Sequence, residues 1–276
     1  MFEMFNLGFM TNAFIAAVIV GLLLSYFGVH VVGRGIVFVD LALGQISSLG
    51  VAIAAYLDTG STWIPIAATL TGAFLLSLIK ISDKRLKQEA IIGIIYAICS
   101  AATVLLISKS AHGDSDIQEV LFGNILAVSW AQITTIAIVF AALGLLHLIF
   151  RKQFFRLTKM YEDNRGAEVG IFNLWNFLFY ISIGLAIVFA VEIGGVIPVF
   201  AYLIIPAVCG IMLSQSKVYV IIFAMILSVL GGFFGLNMSF NYDFPAGSSI
   251  VAVLGVLFVL VSLINGIQNV RAKETA

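Results

Sequence analysis

VYVIIFAMILSVLGGFFGL, residues 218–236, holds no charged side chain and no proline. A run of about 20 apolar residues, coiled as an α-helix, matches the hydrocarbon thickness of a bilayer. Lipid offers backbone N–H and C=O groups no partner, so the helix is the form such a run must take there, and its Val and Ile content does not argue for strands. Outward from it, eight further runs of the same character lie at 9–32, 36–57, 62–79, 90–108, 130–150, 172–191, 196–213 and 249–267. The expected fold is an all-α polytopic membrane protein of eight to nine transmembrane helices, residues 1–276 forming a single transmembrane domain.

Composition excludes the soluble classes. Hydrophobic residues make up 62% of the chain and charged ones 10%, with a mean hydropathy of +1.14, against roughly 25% charged in a soluble domain. Basic and acidic residues balance at 14 each, so overall charge gives no sign of a nucleic-acid partner. Cys99 and Cys209 lie in apolar runs without CxxC spacing and read as small buried hydrophobes. No basic stretch precedes the first run and no small-residue cleavage site follows it, so a retained first span is expected.

Charge distribution sets the expected topology. With the N-terminus outside and spans alternating, every basic residue except Lys109 falls on one side: Arg34, Lys80, Lys84, Arg85, Lys87, Arg151, Lys152, Arg156, Lys159, Arg165, Lys217, Arg271 and Lys273. Basic residues concentrate in cytoplasmic loops, so the N-terminus is expected outside and the C-terminus inside. Glu3, Asp58, Asp114, Asp116, Glu119, Glu192 and Asp243 then make the outer face acidic. Leu121 to Ser129 is apolar but too short to cross, and reads as an interfacial or re-entrant turn. Gly231 and Gly235 form a GxxxG step suited to close helix packing.

The chain carries no enzymatic signature. No glycine is followed by lysine, which excludes a Walker A phosphate loop, and HExxH and GxSxG are also absent. His30, His112 and His147 are scattered along the sequence rather than written as a dense zinc cluster.

Polar groups inside the spans therefore carry the functional information. Asp40 lies in VDLALGQISSLG (39–50) with Gln45, Ser47 and Ser48, and a carboxylate facing lipid costs at least about 2.5 kcal/mol. The set reads either as an interhelical hydrogen-bond cluster or as the lining of a translocation path. Tyr202 and Pro206 in VFAYLIIPA (199–207) read as a broken helix at a transport site or as ordinary kinked packing. The outer segment KSAHGDSDIQE (109–119) gathers His112, Asp114, Asp116 and Glu119, side chains that suit divalent cations or simply hydrate. RKQFFRLTKMYEDNRGAEVG (151–170) is the longest cytoplasmic segment and reads as an amphipathic helix set against a partner or against the lipid surface.

Six blocks in order resemble the membrane-spanning permease subunit of the zinc, manganese and iron class of ABC importers: FVDLALGQISSLGVAIA (38–54), EAIIGIIYAICSAATVLL (89–106), LFGNILAVS (121–129), MYEDNRGAEVG (160–170), VFAYLIIPAVCG (199–210) and DFPAGSSIV (243–251). The resemblance implies a non-enzymatic permease in the bacterial cytoplasmic (inner) membrane, working by alternating access as a homodimer. It also implies two separate ATP-binding subunits on the cytoplasmic side and an extracytoplasmic substrate-binding protein. The cargo would be a divalent metal ion or metal chelate, with no cofactor held by this chain. Within the cytoplasmic coupling loop, 151–170, it assigns ATPase coupling to Tyr161, Glu162, Asp163, Ala167 and Gly170.

One departure stands out. Members of that class commonly place Asp and His four residues apart on the second span; alignment on Gly50 puts Leu41 and Gln45 at those positions, with Asp40 one residue early. At about 100° per residue, Asp40 and Gln45 point roughly 140° apart and do not chelate one ion from a straight helix. Gln and Ser are poor zinc ligands, which favours iron, manganese or a chelated metal. Two other readings remain: a secondary cation transporter with Asp40 as its ion or proton site, and a noncatalytic membrane scaffold.

Overall fold

The computed structural model describes residues 3–59, 63–79, 88–108, 121, 123–163, 165–170 and 172–274. Their regular structure is entirely helical: α1 (Gly8–Arg34), α2 (Val39–Tyr56), α3 (Trp63–Leu78), α4 (Gln88–Ile107), α5 (Trp130–Ile149), α6 (Arg151–Glu162), α7 (Leu174–Gly194), α8 (Val196–Leu213), α9 (Lys217–Tyr242) and α10 (Ala246–Glu274), with short 3-10 turns at Glu3–Asn6, Ile125–Ala127 and Gly166–Glu168. Among the described residues eight helices are long and apolar enough to cross a bilayer, and α3 is a shorter apolar helix. These nine coincide with the nine runs read from the sequence.

The surface confirms the solvent. Ile94, Ile98 and Leu105 on α4 and Val256, Val259, Leu260 and Leu263 on α10 are exposed. In water, apolar patches on that scale would drive association, whereas hydrocarbon tails solvate them. This is a multi-pass membrane protein.

Helix ends follow local chemistry. The α7 N-terminus is capped by the Asn173 side chain, which accepts from the Asn176 amide at 3.0 Å, and the helix stops at Gly195 with φ +76°, a left-handed position that glycine fills without a Cβ penalty. Asp243 ends α9 in the left-handed region, and Pro245 follows, unable to continue a helix.

The chain divides into two compact units. In the first (1–29, 124–137 and 197–276), glycines permit backbone-close crossings. A Cβ on Gly28 would land on the carbonyl oxygen of Leu203, one on Gly210 on that of Val220, and one on Gly235 at 2.5 Å from Ile250 Cα. The Gly231–Gly235 step is thus where α9 meets α10, as GxxxG predicts. Helix α8 runs unbroken through Pro206; a proline there deprives only the Tyr202 carbonyl, four residues back, of its helical partner.

In the second unit (30–123 and 138–196), α2 packs on α3, α4 and α7, and α3 and α6 also pack on α7. Gly50 lies against Pro65, Gly72 against Ile46 and Gly184 against Ala73.

Candidate functional site

Helix α6 begins one residue after α5 and differs from every other helix in its charge. Phe154, Leu157 and Thr158 are buried and Tyr161 half-buried, while Arg151, Lys152, Arg156 and Lys159 are exposed. The spacing of 154, 157, 158 and 161 places one inward-facing stripe along a 3.6-residue period, and α6 packs on α7. The amphipathic helix expected within 151–170 is present.

After α6 the chain tightens into the 3-10 turn Gly166–Glu168. Arg165 braces it: Nε and Nη2 donate to the two carboxylate oxygens of Glu168 at 2.9 and 2.7 Å. That bidentate bond holds Glu168 below the usual carboxylate range and raises Arg165. Val169 is buried, whereas Glu162, Asp163, Glu168 and Gly170 are exposed. Tyr161 turns inward: a Cβ on Gly166 would lie 2.6 Å from its ring, and burial pushes its hydroxyl pKa up, with Arg34 opposing. The arrangement offers a short acidic-edged knob, braced by one ion pair and following directly on the half-buried end of α6.

Beneath the knob lies a polar cluster that sequence reasoning missed. Thr158 on α6 is buried, with Oγ1 at 2.8 Å from His30 Nδ1 and accepting from Arg34 Nε at 3.2 Å. Arg34 Nη1 donates to Asn176 Oδ1 at 3.3 Å, and Asn176 Nδ2 to the Ser77 carbonyl at 3.3 Å. The guanidinium carbon stands 3.6 Å from the Phe179 ring centroid. His147 stacks on Phe154 at 3.9 Å, and its ring centroid is 6.4 Å from that of His30. Two histidines 117 positions apart in sequence (147 minus 30) are neighbours in the fold. Arg34, read from sequence as a loop cation, is only 6% exposed. The available signal was the i, i+4 spacing of His30 and Arg34, which puts both on one face of α1.

The α2 residues Asp40, Gln45, Ser47 and Ser48 are all buried. Helix α2 starts at Val39, so Asp40 stands in the first turn, where the helix dipole favours an anion. Among the described residues its carboxylate oxygens have no hydrogen-bond partner of ordinary geometry; the amides of Asp40 and Leu41 in its own turn are the groups that face it. Ser48 donates to the Gly44 carbonyl at 3.0 Å and is satisfied within its helix. In the other unit, Tyr202 is buried beside Gly21 and Gly232, four residues before Pro206 on α8. His112, Asp114, Asp116 and Glu119 lie outside the described residues, as does the Ala167 side chain. Among the described residues no three His, Cys, Asp or Glu side chains group as metal ligands.

Among the described residues, nine apolar helices, a buried polar cluster and one charged amphipathic helix make up a multi-pass membrane protein with the frame of a permease subunit. The chain belongs to the ABC 3 transport family, whose model matches residues 6–265. It is 27% identical to the manganese transport system membrane protein MntC of Halalkalibacterium halodurans, over 99% of this chain and 95% of that one. To the chelated iron transport system membrane protein YfeD of Yersinia pestis it is 25% identical, over 99% and 91%. Its fold matches PsaBC from Streptococcus pneumoniae, solved in complex with Fab, with a TM-score of 0.78 and 27% identity over 94% of each chain.

Proposed function

We propose that this chain is the permease subunit of an ATP-driven importer carrying manganese, iron or a chelate of either into the bacterial cytoplasm. It works by alternating access as a homodimer, with ATP hydrolysed by separate subunits and cargo delivered by an extracytoplasmic binding protein. Manganese and chelated iron are the cargoes named for relatives aligned along nearly its whole length. The absence of an Asp/His pair four apart on α2 disfavours a bare zinc ion, because Gln45, Ser47 and Ser48 are hard oxygen donors. Asp40, Gln45, Ser47 and Ser48, with Tyr202 and Pro206, line the path; His112, Asp114, Asp116 and Glu119 attract cations at the outer mouth. The α6 loop is cytoplasmic, and Tyr161, Glu162, Asp163, Ala167 and Gly170 couple to the ATPase.

The observation that carries the reading is the turn at 165–170, braced by Arg165 and Glu168 directly after the amphipathic α6, in a chain without a phosphate loop. The test is reconstitution in vesicles with an ATP-binding subunit of the same transporter class. Uptake of radioactive manganese or iron should require ATP and that subunit. Accumulation by the permease alone, abolished by collapsing a proton gradient, would instead establish a secondary transporter using Asp40.

A further inference from the structure

The cluster around Arg34 joins the end of α1 to α6 and α7 and, through Asn176, to α3. From the knob inward the contacts are continuous. Gly166 lies flush on the Tyr161 ring, with no room for a Cβ. Tyr161 shares Arg34 with Phe179 of α7, the guanidinium carbon standing 5.8 and 3.6 Å from the two ring centroids. Arg34, in the last turn of α1, donates to Thr158 of α6 at 3.2 Å and to Asn176 of α7 at 3.3 Å. Asn176 reaches the backbone of α3 at Ser77. Next to Arg34, a Cβ on Gly33 would sit 2.8 Å from both Thr158 Cγ2 and Glu162 Oε1, so α1 and α6 meet here without slack.

We propose that Arg34 and Thr158 are positioning residues that fasten the knob to α1, α3 and α7, so that displacement of the knob moves those helices instead of bending the loop. The inference rests on the reading of 163–170 as the ATPase-docking element. Its chemistry is that of a rigid fork. A planar guanidinium donates in two directions while stacking on an aromatic face, which the point charge of a lysine does not reproduce. The Thr158 hydroxyl accepts from Arg34 Nε, leaving its own hydrogen for His30 Nδ1 in the tautomer protonated on Nε2. A valine at 158 keeps the shape and removes both bonds.

The experiment is the ratio of manganese transported to ATP hydrolysed, in vesicles holding permease, ATPase and binding protein, together with copurification of the ATPase. Thr158→Val and Arg34→Lys should each bind the ATPase as wild type does and lower the ratio at least about fivefold, within the usual range of coupling between sites. Thr158→Ser, which restores the hydroxyl, should recover it. An unchanged ratio in Thr158→Val overturns the inference, as does a loss of ATPase binding that parallels the loss of transport, since that marks a purely structural role. Should Thr158→Val fail to accumulate, the ratio in Arg34→Lys decides. If the wild-type chain neither binds the ATPase nor responds to ATP, the docking reading itself falls, an outcome distinct from a defect confined to the variants.

Discussion

Replacing Gly123 by alanine perturbs the second unit twice at one atom. Gly123 has φ +68°, and a Cβ there would fall on the carbonyl carbon of Gly194 and the amide nitrogen of Gly195, backbone atoms at the end of α7. A left-handed conformation costs an L-residue about 1–2 kcal/mol, and forcing a methyl into a filled site adds about 1–3 kcal/mol. Because the obstacle is main chain, no rotamer change relieves it. Two controls separate the terms: Gly35 has φ +65° with nothing within 4 Å of its would-be Cβ, and Gly93 is helical with equally open surroundings. Gly35→Ala therefore carries only the conformational cost and Gly93→Ala neither cost, while all three share the small gain from restricting the unfolded chain. Thermal unfolding of the detergent-purified proteins reads the difference. At about 2–4 °C per kcal/mol for a chain of this size, and before the small shared gain, Gly123→Ala should melt about 4–20 °C below wild type, Gly35→Ala about 2–8 °C below, and Gly93→Ala at or slightly above it. A Gly123→Ala protein melting no lower than Gly35→Ala would show that Gly123 does not lie against the end of α7.

Gly28→Ala should sharply reduce folded yield, because the added methyl meets the Leu203 carbonyl; fluorescence size-exclusion of solubilised membranes measures it, and a wild-type peak contradicts the α1–α8 crossing. Joint replacement of Glu162 and Asp163 by alanine should lower ATPase copurification several-fold while leaving membrane insertion intact, and unchanged copurification removes those side chains from docking. Asp40→Asn should reduce manganese uptake more than it reduces folded yield; equal losses would assign Asp40 to packing and helix-start stabilisation alone.

The helices were legible because lipid leaves a long charge-free run one conformation, and the apolar boundaries at Trp130, Val196 and Leu213 coincide with the ends of α5 and α8. The length argument also applies before α5: 121–129 is too short to cross, and its described residues 123–129 contain a 3-10 turn at Ile125–Ala127. Composition could not say which helices meet. Arg34 looks like any basic residue at the cytoplasmic end of a span, and Thr158 like a polar residue on a polar helix; their burial follows from α6 folding back against α1 and α7. Pro206 marks a weakened turn in the sequence, yet α8 passes through it intact because one missing N–H is a local loss that neighbouring turns span.

The buried guanidinium has an energetic implication that distinguishes it from the glycine contacts. Glycines at the α1–α8 and α9–α10 crossings shorten the distance between backbones and add packing, so stability alone explains them. A charge taken out of water does not improve stability over a well-packed methionine or leucine of similar size, since its desolvation roughly cancels what its partners return. Yet Arg34 lies beneath the amphipathic α6, hydrogen-bonded through Nε and Nη1 to Thr158 and Asn176 from two other helices and stacked on Phe179. What such a group supplies and an apolar one does not is direction: its hydrogen bonds hold at one angle and one distance, whereas apolar surfaces slide. The joint proposed above, which would pass a push to three helices in fixed register, needs that property more than it needs further burial.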